Sequence, residues 1–153
     1  MIDEKQILVK EVMTVRTTRI LYDADIHHAA EVTALSGVSD LMVVDEENNL
    51  VGVLSEGDIL RTAHPDVDEI LAEGGSLDTA FNIFLHKGKN LADLPITPII
   101  IHEPIVLNPE DHVAKATTVL IDKQIRLLPV VKDGKLVGTV SRADICRSIV
   151  GTL

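Results

Sequence analysis

The sequence predicts an α/β (α+β) fold built from two similar halves, each running strand, helix, strand, strand, helix. Three observations predict it. The pattern Gly-x-x-Ser-x-x-Asp occurs twice, as Gly52-Val-Leu-Ser55-Glu-Gly-Asp58 and Gly138-Thr-Val-Ser141-Arg-Ala-Asp144, each time closing a hydrophobic strand and opening a helix. The match spreads outward: Leu41-Met-Val-Val44 falls opposite Leu128-Pro-Val-Val131, Leu50-Val-Gly52 opposite Leu136-Val-Gly138, and Ile26, Ala29 and Val38 opposite Val113, Ala116 and Ile125. A period of about 86 residues with only two copies is too long for a solenoid unit and implies two half-domains packed together.

The elements follow in order. Residues 18–21 read as a short strand, and residues 25–36 as a helix, because Ile26, Ala29, Ala30 and Thr33 recur at helical spacing. Residues 41–45 and 51–54 read as strands around the polar turn Glu46-Glu-Asn-Asn49, and Glu56–Ala63 closes the first half as a helix. The second half repeats the series: strand 105–107, helix 112–123, strands 128–131 and 136–140, and helix 142–150. Its Asp133-Gly134 pair favours a tight hairpin. The domain organisation is therefore a first repeat over residues 1–63, an inter-repeat helical segment over 64–98, and a second repeat over 99–153.

The inter-repeat segment has structure of its own. His64-Pro65-Asp66 is a helix start, Val67–Ala72 reads as one short helix, and Gly74-Gly75 breaks it. A second helix starts at a Ser76 cap and sets Leu77, Ala80, Phe81, Phe84 and Leu85 on one face. That face suits either packing on the protein's own core or a dimer or partner surface. Pro95, Pro98 and Pro104 exclude long helix before the second repeat.

Size sets a further limit. A half of roughly 60 residues buries too little surface to be comfortably stable alone, so the halves are expected to share a core. With 46% apolar residues and no apolar run long enough for a bilayer, the chain reads as a soluble globular protein. Met1-Ile-Asp-Glu-Lys5 carries no apolar stretch behind a basic start, and the single cysteine, Cys146, suits a reducing cytoplasm; a cytoplasmic location is expected. The formal charge of −10 argues against nucleic-acid binding. Five of the six arginines nevertheless fall in two stretches, Arg16 and Arg19 near the start and Arg126, Arg142 and Arg147 near the end. They are either ordinary solvated charges or, if the stretches meet, local help for a phosphate.

The repeated motif has a purely local use. Ser55 and Ser141 can cap their helices, with Asp58 and Asp144 reaching back to complete a capping box. Capping does not exclude binding, because a helix N-terminus presents amides and a positive dipole end to an anion, and the glycine permits close backbone approach.

With the strand, helix, two strands and helix of each half, the Leu-Pro-Val-Val-like strand and both Gly-x-x-Ser-x-x-Asp motifs, nearly the whole chain resembles the cystathionine beta-synthase (CBS) domain pair, or Bateman module. The resemblance implies two pseudo-symmetric half-domains packed through their sheets, two clefts that take an adenosine-containing ligand (AMP, ADP, ATP or S-adenosylmethionine), a homodimer, and a regulatory role toward an effector protein with no obligatory cofactor. Under it, Asp58 and Asp144 would accept from ribose hydroxyls, and Ser55 and Ser141 would face ribose or phosphate. An ionised carboxylate offers two acceptors to a vicinal diol. The resemblance further assigns Thr17, Thr18 and Val38 to the cleft of Ser141 and Asp144, with Arg126 and Arg142 near its phosphates. Ser55 and Asp58 would share the other cleft with Ile125 and residues around His102. Met42 replaces the proline found at Pro129, and Glu56 stands where the second repeat has Arg142, which weakens the case for phosphate on the Asp58 side.

No enzyme motif is visible: the chain lacks His-Glu-x-x-His, paired-cysteine metal spacing, a Walker loop or a Gly-x-Ser-x-Gly elbow. His27 and His28 are adjacent and diverge by about 100° on a helix, a poor geometry for one metal. The expected function is a non-enzymatic ligand-binding regulatory module. The alternative is an interaction or dimerisation module whose serines and aspartates serve only as caps.

Overall fold

The structure, a computed structural model, describes residues 6–151; the Met1 to Lys5 start lies outside them. A short helix α1 (Val9–Val12) precedes the first sheet, in which β1 (Arg19–Leu21) runs parallel to β2 (Asp40–Val44) and β2 antiparallel to β3 (Leu50–Ser55). Helix α2 (Ile26–Ser36) connects β1 to β2. It starts where the Asp25 carboxylate accepts from the His28 amide at 2.8 Å, and stops at Gly37, whose φ of 72° a side chain would resist. Helix α3 (Glu56–Ala63) follows β3 directly.

After α4 (Val67–Ala72), α5 (Leu77–Leu91) and a 3-10 turn at Thr97–Ile99, the second half contains α6 (Val113–Asp122), the antiparallel pair β4 (Leu127–Lys132) and β5 (Lys135–Ser141), and α7 (Arg142–Ile149). Asp133 and Gly134, at φ of 53° and 82°, make the tight turn that their sequence predicts.

The strand expected at 105–107 does not form. Only a single parallel bridge, Leu107 to Val130, remains beside β4. The cause is Pro129. In the first half the Met42 amide donates to the Thr18 carbonyl at 3.3 Å, and β1 pairs along its length with β2. Pro129 occupies the position of Met42 and has no N–H to give Ile105, so the ladder starts one rung later, where Leu107 donates to Pro129 at 2.9 Å.

Each half completes its core with a segment that the chain delivers from the other side of the repeat. Val9 and Val12 of α1 are buried with Leu107, Leu120, Leu128 and Val140 in the second half. Ile96 and Ile100, at the end of the inter-repeat segment, are buried with Ile20, Leu41 and Leu54 in the first. The shared core expected from size is thus literal.

A third apolar cluster lies between the sheets, where Met42, Val44 and Val53 meet Leu136 with Leu50 and Leu127 at its edge. The hairpin turns cross-link there: Leu50 donates to the Gly134 carbonyl and Leu136 to the Asn48 carbonyl, each at 3.0 Å, and Asn48 Nδ2 donates to the Leu136 carbonyl at 2.8 Å. The half-domains are therefore packed through their sheets.

In the inter-repeat segment both expected helices form, with Ser76 capping α5 by accepting from Thr79 N at 3.0 Å. The predicted apolar face divides. Phe84 is half-buried, its ring edge-on to His64 at 6.5 Å between centroids, while Leu77 and Phe81 are 90% and 60% exposed. No helix among the described residues is long and apolar enough to cross a membrane.

Candidate functional site

Two clefts open between the halves, related by the repeat. On each side, the chain segment entering one half crosses the last strand of the other. Thr14 exchanges backbone hydrogen bonds with Thr139 at 2.8 and 2.9 Å, and Ile101 exchanges the corresponding pair with Val53 at 2.8 and 3.1 Å. The glycines of the repeated motif sit under these crossings. A Cβ on Gly138 would stand 2.9 Å from the Thr14 carbonyl oxygen, and one on Gly52 would overlap the carbonyl of Ile101. The glycine of the motif is therefore required by close packing between the halves.

The first cleft, about 210 Å³, contains Ser141 and Asp144 from the second half and Arg16, Thr17, Thr18 and Val38 from the first; Thr14, Thr139, Asp40 and Leu127 complete its wall. Ser141 caps α7 as the motif predicts: the Asp144 amide donates to Ser141 Oγ at 3.2 Å, and the Ser141 amide and hydroxyl both donate to Asp144 Oδ2, at 2.8 and 3.0 Å. The other oxygen, Oδ1, accepts from Arg147 Nη2 at 3.1 Å and from Thr14 Oγ1 at 3.2 Å. Asp144 is only 5% exposed, a buried carboxylate held by donors from three directions.

The second cleft, about 340 Å³, is lined by Ile101, Glu103, Pro104 and Ile105 on one side and Ile125, Arg126 and Val53 on the other, again with Asp40 and Leu127. Its repeat-equivalent positions change the chemistry one by one. Thr14, Arg16, Thr17 and Thr18 become Ile101, Glu103, Pro104 and Ile105. A wall of hydroxyls with a cation becomes an apolar wall with an anion.

Several expected site residues fall elsewhere. Arg126 does not join Ser141 and Asp144. It lines the second cleft, with Nε 3.9 Å from Asp40 and Nη1 3.8 Å from Glu56. The reason is positional: Arg126 follows Ile125, which lines the second cleft, just as Val38 lines the first. Arg142 turns away from the first cleft and donates to the Leu120 carbonyl on α6 at 3.2 Å. Of the early arginines, Arg16 lines the first cleft, whereas Arg19 donates to Asn48 Oδ1.

Ser55 and Asp58 form the matching capping box, with Asp58 N to Ser55 Oγ at 3.1 Å, but neither lines the second cleft. Asp58 is instead closed by Arg61, whose Nη2 donates to Oδ1 at 2.6 Å. Burial of the Asp58 carboxyl works against its ionised form, but the Ser55 and Arg61 hydrogen bonds outweigh it and hold Asp58 below the ordinary aspartate range.

Thr14, Thr139, Asp40 and Leu127 were not anticipated. The repeat carried a signal for Thr14, since it is the repeat equivalent of Ile101, just as Asp40 and Leu127 are repeat equivalents of one another. Among the described residues no group of three metal-ligating side chains comes together. What the first cleft offers is hydrogen-bond recognition: threonine and serine hydroxyls, the buried Asp144 carboxylate, the partly buried Asp40 carboxylate and one arginine.

The CBS domain family matches this chain at residues 9–64 and 91–151. An uncharacterized protein of Methanocaldococcus jannaschii is 27% identical over 154 residues, covering 94% of this chain and 91% of that protein. The chloroplastic CBS domain-containing protein CBSX1 of Arabidopsis thaliana is 30% identical over 139 residues; the match covers 80% of this chain but only 55% of CBSX1. Among solved structures, CBSX2 in complex with AMP superposes with a TM-score of 0.70 at 25% identity, covering 95% of this chain and 97% of that one. CBSX2 from Arabidopsis thaliana also superposes with a TM-score of 0.79 at 23% identity, covering 97% of both chains. Two family matches, one on each half, and the packing of those halves through their sheets make this chain a member of the CBS domain family, with its two CBS domains forming a pair.

Proposed function

We propose that this protein is a regulatory module that binds an adenosine-containing ligand in the first cleft and passes its occupancy to a partner protein. The observation that carries this reading is the convergence of Thr14, Thr17, Thr18, Ser141 and Asp144, from both halves, on one cleft. The AMP complex of CBSX2, a structure of the same fold, supports the ligand class. Asp144 would exchange the Arg147 hydrogen bond on Oδ1 for that of a ribose hydroxyl while Thr14 keeps the carboxylate in place, Val38 would pack on the base, and Arg16 would face a phosphate.

Signalling follows from the cleft's construction. At about 210 Å³ it is smaller than the usual ligand pocket of about 300 Å³ and more, and its walls belong to different halves. Because the walls belong to different halves, a bound ligand selects the relative arrangement of the halves that fits it best. We place the second cleft, with Glu103 opposite Arg16, as the poorer site for phosphorylated ligands. The module forms a homodimer in this reading, with the exposed Leu77 and Phe81 of α5 among the surfaces available for it.

The alternative, a ligand-free interaction module, is favoured by one observation: both aspartates are already satisfied by their capping boxes and arginines. Thermal shift with adenosine, AMP, ADP, ATP and S-adenosylmethionine, followed by calorimetry on Asp144→Ala, separates the two. A ligand at a hundred times its Kd stabilises the fold by about 2.7 kcal/mol. Binding that Asp144→Ala abolishes supports the ligand sensor; no shift with any of the five supports the interaction module.

A further inference from the structure

The two clefts meet at one carboxylate. Asp40, the first residue of β2, lines both, and its side chain is only 14% exposed. The position equivalent to it in the second repeat is Leu127, which also lines both clefts, so the junction carries one negative charge where the repeat could have placed two or none. Its compensation is weak. Ser39 Oγ donates to Oδ2 at 3.1 Å, whereas Arg126 stands 3.9 Å away and divides its guanidinium with Glu56 at 3.8 Å, both beyond hydrogen-bond distance. Burial pushes the Asp40 carboxyl up from its ordinary value, against the Ser39 hydrogen bond and Arg126.

Resting on the reading of the clefts as adenosyl-ligand sites, we propose that Asp40 is a specificity-determining residue common to both: one carboxylate that selects against negative charge on the ligand at either site. A phosphate on either side of the junction meets it through partly desolvated protein, where a like charge several ångströms away acts far more strongly than in water. A neutral or cationic adenosyl ligand escapes this repulsion. Glu103 adds to the discrimination in the second cleft, where Arg126 works against it, and Arg16 offsets it in the first.

The test is calorimetric titration of the full chain with adenosine, AMP and ATP, comparing wild type with Asp40→Asn, Glu103→Gln and Arg16→Ala. Asp40→Asn removes the charge and keeps the shape. It is expected to leave adenosine affinity within about twofold, to tighten AMP several-fold, and to tighten ATP by on the order of tenfold or more, in both binding steps. Glu103→Gln and Arg16→Ala are each expected to move one step. An Asp40→Asn effect confined to one step, a single binding step in both proteins, or an equal change for adenosine and ATP overturns the shared charge selection. If Asp40→Asn leaves all affinities unchanged while adenosine ligands still bind, the proposal fails and the adenosyl reading stands. If neither these three ligands nor S-adenosylmethionine binds wild type, the adenosyl reading fails, and the proposal with it.

Discussion

Thr14 donates a hydrogen bond to Asp144 at 3.2 Å across a separation of 130 residues, tying the entry to the first half to the last helix of the second. At the equivalent position of the other cleft stands Ile101, which has no hydroxyl to offer Asp58. The two copies of one motif thus enter different environments, and the difference is made by residues outside the motif.

Replacing Thr14 by Val keeps the shape and removes that donor. The expected loss of stability is about 1 kcal/mol, because a part-buried carboxylate loses one of several donors. The same change is expected to weaken AMP binding by roughly tenfold through misorientation of Asp144. Ile101→Val, the control in the other cleft, is expected to leave AMP affinity in the first cleft unchanged; urea unfolding and calorimetry measure both effects.

Gly52→Ala and Gly138→Ala are expected to differ in severity. The Cβ on Gly52 meets the backbone of Ile101, which cannot move without breaking the Val53 bridge, and a loss of about 3 kcal/mol or more is expected. At Gly138 two of the three nearest atoms belong to the flexible Met13 side chain and the third, the Thr14 carbonyl oxygen, is met at 2.9 Å, a lesser overlap than at Gly52, so a smaller loss of about 2 kcal/mol is expected. Equal losses in denaturant titration would show that the crossing segments yield more readily than their hydrogen bonds imply.

The exchange of core segments predicts where a distant mutation is felt. Val9→Ala empties space beside Leu120 and Val140 and is expected to cost roughly 2 kcal/mol. Hydrogen exchange should show the loss first in β4 and β5, not in the first half that contains residue 9. Ile96→Ala should show the reverse, exposing β1 to β3. The separately expressed halves are expected to remain unfolded.

Asp58 and Asp40 predict opposite pH behaviour. The folded-state pKa of Asp58 lies below its unfolded value, so its contribution is present above the ordinary aspartate range near 4 and lost as pH falls through the lowered pKa. The Asp40 pKa is raised, so its penalty on folding grows as pH rises above the ordinary aspartate range near 4 and is complete once pH passes the raised value. Asp58→Asn should therefore destabilise the protein at pH 7 and less at strongly acid pH, whereas Asp40→Asn should stabilise it at pH 7 and lose that advantage below about pH 4. Melting temperatures across pH 2.5–7 check both signs.

The sequence by itself determined the repeat, nearly all the elements and both helix caps, because these follow from local chemistry: apolar periodicity, a Ser-x-x-Asp box and an Asp-Gly turn. The one expected strand that does not form, at 105–107, depended on the amide that Pro129 lacks in a neighbouring strand, a pairing that no local pattern displays. The resemblance to CBS pairs placed Thr17, Thr18, Val38, Ser141 and Asp144 together, and they do line one cleft. Arg126, Arg142, Ser55 and Asp58 did not follow: Arg126 lies on the second cleft beside Ile125, Arg142 donates to the Leu120 carbonyl, and Ser55 and Asp58 cap α3 outside the second cleft's lining. Only the tertiary structure decided that α1 belongs to the second core, that Thr14 reaches Asp144, and that Asp40 faces both clefts. Each of these joins residues far apart in the chain, and contact between them is fixed by how the two sheets pack, which no segment specifies alone.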